Sequence, residues 1–251
     1  MAEVQVFLLV FIRILSFMAI CPVFSQRGVP LMVRSILAGS LVLGSWQFVE
    51  VTTTVQPMFL FGLTSIKEVL LGLAMGYVSQ LVFTGVEMAG QLVDFQVGFS
   101  MAQAFDPAFE IMSSQYGRMY YWVTLALVFV LDLHHLLIEG VVESFRLIPL
   151  GVLSMDGPTV DGVVQLFGGA FSIALNLAAP LVVSVLVIDI VLGIVSRTIP
   201  QINVLMLGMP IKTLASFVLF LLLIPNAVSY LGKRLPEALL FLQEFIQSLS
   251  V

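Results

Sequence analysis

The run "EVLLGLAMGY", Glu68–Tyr77, sets one carboxylate at the head of an otherwise apolar segment and places Gly72 and Gly76 four residues apart. That spacing puts both glycines on one face of a helix, where a second backbone can approach closely. Gly62, Gly85, Ala89, Gly90 and Gly98 carry the small-residue pattern onward. Such a helix needs neighbours; packing within the chain and docking onto another subunit both account for it.

The surrounding chain has the same character. Of its 251 residues 60% are hydrophobic and only 10% charged, with a mean hydropathy of +1.12, whereas soluble domains are roughly 45–50% apolar. This is the composition of an integral membrane protein, with room for about six or seven spans of roughly 20 residues and little left for a soluble domain. Apolar segments run from about Val4 to Phe24, Val29 to Val49, Met58 to Val86, Met119 to Ile138, Val160 to Val195 and Ile211 to Leu231. The expected fold is therefore all-α, with about six to eight long helices, several kinked or not fully spanning. The segment from Val160 to Val195 exceeds one simple span, and Pro180 near its middle predicts a kink or a pair of half-helices. After Gly232, "KRLPEALLFLQEFIQSLSV" is too polar to span easily and reads as an amphipathic end helix over 233–251, lying on a surface or a partner.

Charge and cysteine usage exclude several classes. The net charge of −5 comes without a Lys/Arg cluster, so nucleic acid is not an expected partner. Cys21 is the single cysteine, which rules out an internal disulfide. The N-terminus opens with Glu3 rather than positive charge and carries Arg13 inside its apolar run, so it reads as a retained helix and not a cleaved signal. Arg27 and Arg34 favour a cytoplasmic first loop and Arg197 with Lys212 a second, yet Lys233 and Arg234 then fall on the opposite side.

Arg13, Lys67, Glu68, Asp132 and Asp189 all sit among apolar residues. Each would cost on the order of 2.5–3.5 kcal/mol at the centre of a bilayer, so they must face protein, water or each other. Pairing between helices, a proton or ion relay and the lining of an assembled pore are the three readings. Glu87–Trp122 is the least membrane-like part of the middle of the chain, and its polar residues Glu87, Gln91, Asp94, Gln96, Gln103, Asp106 and Glu110 predict that the chain leaves the helix bundle there. It also keeps Phe95, Phe99, Met101, Phe105, Phe109, Met112 and Met119, adaptable side chains suited to a deformable seal as well as to a re-entrant loop packed statically between helices.

Enzymatic readings find little support. His135 and Glu139 share a helix face, with Asp132 one turn before His135, but the H-E-x-x-H order is missing and His134 and His135 are the only histidines. Interhelical hydrogen bonding is the expected role of the pair, with no metal site, no cofactor and no catalysis. Neither a Walker-type phosphate loop nor a G-x-S-x-G elbow occurs. A secondary transporter could use Asp132, Asp189 and Arg197 as coupling charges, but no repeated half accompanies them.

"EVLLGLAMGY", then "MAGQLVDFQVGFSMAQAFDP", "HHLLI", "SFRLIPLG" and "SRTIPQINVLMLGMPIK" follow one another in an order and spacing that resemble the FliR family of flagellar export-gate proteins and its counterparts in virulence type III secretion. The resemblance covers roughly Phe11 to Leu231. Where the family often has Asn-Gly before its histidine pair, this chain has Asp132 and Leu133.

The resemblance implies a single membrane domain over residues 1–251 that joins FliP-like and FliQ-like subunits, with FlhB and FlhA as further partners, in the bacterial inner membrane at the flagellar basal body. Unfolded flagellar subunits would be the cargo and lipid the surroundings before assembly. It also implies a plug-like loop over 104–119, built from Phe105, Asp106, Pro107, Phe109, Ile111, Met112, Gln115 and Met119. Arg197, Pro200, Gln201, Asn203, Gly208 and Pro210 would form an assembly or hairpin junction, where the two prolines let the backbone between them bend or run extended. Glu68, Gly72, Gly76, Gly90 and Gly98 would serve helix packing.

Overall fold

The computed structural model describes residues 2–26, 28–49, 57–99, 114–152, 160–199 and 204–248. Among these it is all-α, with seven α-helices and one short 3-10 turn. We label them α1 (Ala2–Ile20), α2 (Leu31–Ser45, followed by the 3-10 turn Trp46–Phe48), α3 (Met58–Val97), α4 (Gln115–Val130), α5 (Leu133–Leu147), α6 (Val160–Thr198) and α7 (Val204–Ser248). Five of them, α1, α2, α3, α6 and α7, are long and apolar enough to cross a membrane, while α4 and α5 reach that length only together and are bent by 75° at their junction. The chain forms two compact units, the first from Met1–Val82, Val128–Phe167 and Leu235–Val251, the second from Phe83–Leu127 and Gly168–Arg234.

In the first unit, α1 buries Val6, Leu9, Val10, Arg13, Ile14 and Phe17, a stripe at helical spacing. The glycines of α3 fit against its far half. A Cβ at Gly72 would lie within 3.0 Å of Ser16 Oγ and of the Arg13 carbonyl oxygen, and one at Gly76 would lie 2.9 Å from the carbonyl oxygen of Phe17. Small residues here bring two backbones together inside one chain, which decides between the two explanations of the Glu68–Tyr77 pattern. Leu235, Leu239, Leu242 and Ile246 are buried as well, and Leu242 lies beside Gly140 of α5.

In the second unit, Gly85 meets Ala170 of α6, and Gly90 of α3 meets Gly117 of α4 so closely that a Cβ would fall within 3.0 Å of the partner backbone. Tyr116 and Tyr120 of α4 pack on Phe220 of α7 with ring centroids 5.3 and 5.1 Å apart. By contrast, α6 and α7 leave Phe171, Leu175, Val187, Ile190, Leu214, Leu221 and Leu222 exposed, an apolar surface suited to lipid or to other subunits.

Three sequence expectations need correction. The chain does not leave helical structure at Glu87, because α3 continues to Val97; Asp94 and Gln96 find partners in their own unit, so their polarity ends no helix. Pro180 does not split its segment, since α6 runs through it as one element, and Ser184 Oγ donates to the Pro180 carbonyl at 2.7 Å. Pro210 lies in the second turn of α7, so residues 204–210 are helical rather than bent or extended. Residues 233–248 continue α7, and their stripe of Leu235, Leu239, Leu242 and Ile246 is buried within the first unit.

Cys21, just beyond α1, is fully buried, and burial pushes its thiol up to about 12 despite hydrogen bonds from the backbone of Val23 and Phe24. The thiolate is the reactive form. Maleimide labelling at pH 8 should therefore be far slower for the folded protein than for the denatured chain, and should rise only as pH approaches 12. Gly72→Ala should lower stability by about 1–3 kcal/mol through overpacking, read as a lower thermal midpoint in detergent. Gly62→Ala, where a Cβ meets nothing within 4 Å, should leave that midpoint unchanged or raise it.

Candidate functional site

Arg13 is completely buried on α1 and organises the first unit. Its Nε donates to Glu68 Oε2 on α3 at 2.5 Å. One terminal nitrogen donates to the Ser144 carbonyl at 3.0 Å and to the Ile148 carbonyl at 3.2 Å, and the other donates to the Ile148 carbonyl at 3.2 Å. The guanidinium also lies 4.5 Å from the centre of the Phe145 ring. A cation here adds a charged donor to the Ser144 carbonyl, which also accepts the Ile148 N–H at 3.0 Å, and bonds the Ile148 carbonyl just past the C-terminus of α5. Glu68 uses its other oxygen to accept the Gly151 N–H at 2.8 Å, and Lys67 Nζ donates to the Gly151 carbonyl at 3.1 Å. Gly151 has φ 78°, which suits glycine. The segment "SFRLIPLG", Ser144–Gly151, is thus the wrapping of one buried ion pair, and Glu68 acts by charge and not by helix contact alone.

The second unit contains a loop stem. At the end of α3, Gly98 has φ 103° and donates its N–H to the Asp94 carbonyl at 3.1 Å. Gly98 therefore terminates a helix rather than admitting a neighbour. At the start of α4, Ser114 Oγ accepts the Gly117 N–H at 2.8 Å as an N-cap. Asp94 Oδ1 accepts the Tyr116 N–H at 3.4 Å, placing an acidic side chain at the helix N-terminus. Tyr116 is fully buried, donates to Ser216 Oγ on α7 at 2.6 Å and meets the Phe99 ring at 6.3 Å. Phe99 and Ser114–Gly117, the described residues on either side of 100–113, thus lie together. Of the expected plug residues, Gln115 and Met119 belong to the first turns of α4, while Phe105, Asp106, Pro107, Phe109, Ile111 and Met112 lie outside the described residues.

The parts of α6 and α7 that belong to this unit run antiparallel. Asp189 pairs with Lys212 and accepts from Gln96 Nε2 of α3 at 3.0 Å, and buried Gly208 faces Leu192. Arg197 is exposed in the last turn of α6, where a cation suits the helix terminus; among the described residues it holds no hydrogen bond. Pro210 is exposed on α7, and Pro200, Gln201 and Asn203 lie outside the described residues. Below that pair the hairpin and α4 line a recess of about 220 Å³ with Tyr120, Asn176, Pro180, Asn226 and Tyr230 around it.

At the α4–α5 bend Asp132 has φ 55°, and one donor atom each from Asp132, His134 and His135 all lie within 4.8 Å of one another. Counting histidines misses this, because the left-handed turn, not helical spacing, brings the carboxylate to the pair. The signal available in the sequence was an Asp directly before an apolar helix start, since Asp tolerates that conformation.

Against known proteins, a family model described as "Bacterial export proteins, family 1" matches residues 4–238. The chain is 35% identical over 220 residues to the flagellar biosynthetic protein FliR of Bacillus subtilis (strain 168), covering 86% of this chain and 84% of that protein. It is 28% identical to the protein of that name from Aquifex aeolicus (strain VF5), over 96% and 93% of the two chains. For the protein of that name from Escherichia coli (strain K12) the figures are 24%, 95% and 91%.

Breaking the Arg13–Glu68 pair by Arg13→Ala or Glu68→Ala should each cost about 3–5 kcal/mol, because the remaining charge stays buried. Arg13→Met combined with Glu68→Leu should lose less than the sum of the two alanine changes, as measured by denaturant unfolding in detergent. Tyr116→Phe should cost about 1 kcal/mol for the bond to Ser216.

Proposed function

The chain belongs to family 1 of the bacterial export proteins, and from that premise we propose that it is a nonenzymatic structural and gating subunit of the flagellar type III protein export gate. In this reading it forms, with FliP-like and FliQ-like subunits, the channel through which unfolded flagellar subunits leave the cell. FlhB and FlhA are its neighbours in the apparatus, and the bacterial inner membrane at the flagellar basal body is its location. The flagellar name shared by the relatives supports this over a virulence system.

The observation that carries the gating role is the stem at Phe99 and Ser114–Gly117. A segment that closes a channel must be fixed at its root and free to rearrange beyond it, and the residues flanking 100–113 meet through the Phe99–Tyr116 ring contact. The root is secured by the Ser114 cap and by Tyr116 bonded to Ser216. The sequence beyond it, with Phe105, Phe109, Ile111 and Met112, supplies apolar, adaptable side chains that exclude ions when packed. The exposed apolar faces of α6 and α7 supply surface for the other subunits. Under this proposal the Asp189–Lys212 pair is a clamp on one hairpin rather than a coupling site for transport.

Removing residues 105–111 while keeping Ser114 and Asp94 tests the gating role. The shortened chain should still assemble with its partner subunits and should make the inner membrane leaky to small ions and solutes, measured as solute-induced swelling or loss of membrane potential. An assembled variant with the leakage of the unaltered protein would exclude the plug.

A further inference from the structure

The bend between α4 and α5 holds side chains that the packing of the first unit does not use. Asp132 sits at the turn, donating its N–H to the Phe129 carbonyl at 3.2 Å and accepting the His135 N–H at 3.0 Å. Those two bonds fix the backbone and leave the carboxylate on the outside of the turn, exposed. Successive helical residues normally diverge by about 100° around the axis, yet the His134 and His135 rings lie together, with centroids 4.2 Å apart.

His134 is only half-buried, but its Nδ1 is sealed from solvent and has no hydrogen-bond partner among the described residues. A ring nitrogen stripped of water and given nothing in return is unfavourable, and calls for an explanation such as a bound ion. With one donor atom from each of Asp132, His134 and His135 within 4.8 Å of one another, the group has the composition of a metal site: two imidazoles and one carboxylate.

That donor set discriminates among ions. Calcium and magnesium require oxygen ligands and are poorly served by two imidazoles. Zinc accepts nitrogen and oxygen at about 2.0–2.2 Å and is often held by three protein ligands with a fourth position open. Donors around such an ion stand roughly 3.4 Å apart, as tetrahedral geometry at those bond lengths requires. Asp132 and His135 are exposed and can close the remaining gap by turning about their own side-chain torsions. Glu139, one turn beyond His135 and also exposed, is placed to orient that ring.

We propose that Asp132, His134 and His135 bind one divalent ion of the zinc class, which pins the 75° bend between α4 and α5. The inference stands on this chain's own side chains and is independent of the gating role.

The test uses the full chain, purified in mild detergent through an affinity tag without histidine, stripped with a chelator and titrated with cobalt(II) alone, then with zinc(II) as competitor. Visible absorption of the type given by four- or five-coordinate cobalt should appear with one equivalent per chain and be displaced by zinc. His135→Gln should weaken binding by about tenfold or more. Asp132→Asn should do the same while keeping the backbone, because asparagine accepts the left-handed turn, so it decides the matter if His135→Gln fails to fold. Absence of cobalt absorption, or equal binding by the unaltered chain and Asp132→Asn, would overturn the proposal.

Discussion

A guanidinium with no access to water must find all its partners inside the protein, and the first unit is arranged around that requirement. Arg13 is fully buried and Glu68 nearly so, and desolvating two such charges is offset only when geometry and additional hydrogen bonds are good. Here the additional bonds come from carbonyls that end α5 and from the backbone of the following turn. One interaction therefore fixes the relation of α1, α3 and α5. In an apolar chain, where many greasy faces could pair interchangeably, a buried charge has few acceptable positions, and this is what selects one arrangement.

Close approach supplies the second constraint. The guanidinium reaches Glu68 because Gly72 and Gly76 admit the α1 backbone between Arg13 and Cys21. In the second unit, Gly90 against Gly117 brings α4 onto α3, and so places Tyr116 within reach of both Asp94 and Ser216. Glycines and polar bonds act together: the first set the distance, the second the register. The anchored stem of residues 100–113 is one product of this, and it gives the gating proposal its physical footing.

Much of this was legible in the sequence, and the failures have identifiable causes. Composition gave the all-α membrane class, and the isolation of Arg13, Glu68 and Asp189 among apolar residues required partners for each, without saying which. Two of the partners of Arg13 were hidden because they are backbone carbonyls, at Ser144 and Ile148, which carry no sequence signal. Polar residues at Asp94 and Gln96 suggested a departure from the bundle, whereas tertiary bonds to Tyr116 and Asp189 let α3 continue. Pro210 marks a boundary by local rules, though a helix can run through proline where packing compensates for one lost bond. The amphipathic C-terminal stripe of Leu235, Leu239, Leu242 and Ile246 is legible, but its covering surface, beside Gly140, is not, because it depends on contacts more than a hundred residues distant in the chain.

The claim that joins these features is that the chain is built to be one subunit of a larger membrane assembly. Its direct test is the native mass and composition of whatever a tagged copy brings out of its own membranes in mild detergent. The account predicts a large complex containing several copies of small FliP-like and FliQ-like membrane proteins. A lone chain or simple homodimer, recovered under conditions that keep other membrane complexes intact, would contradict it.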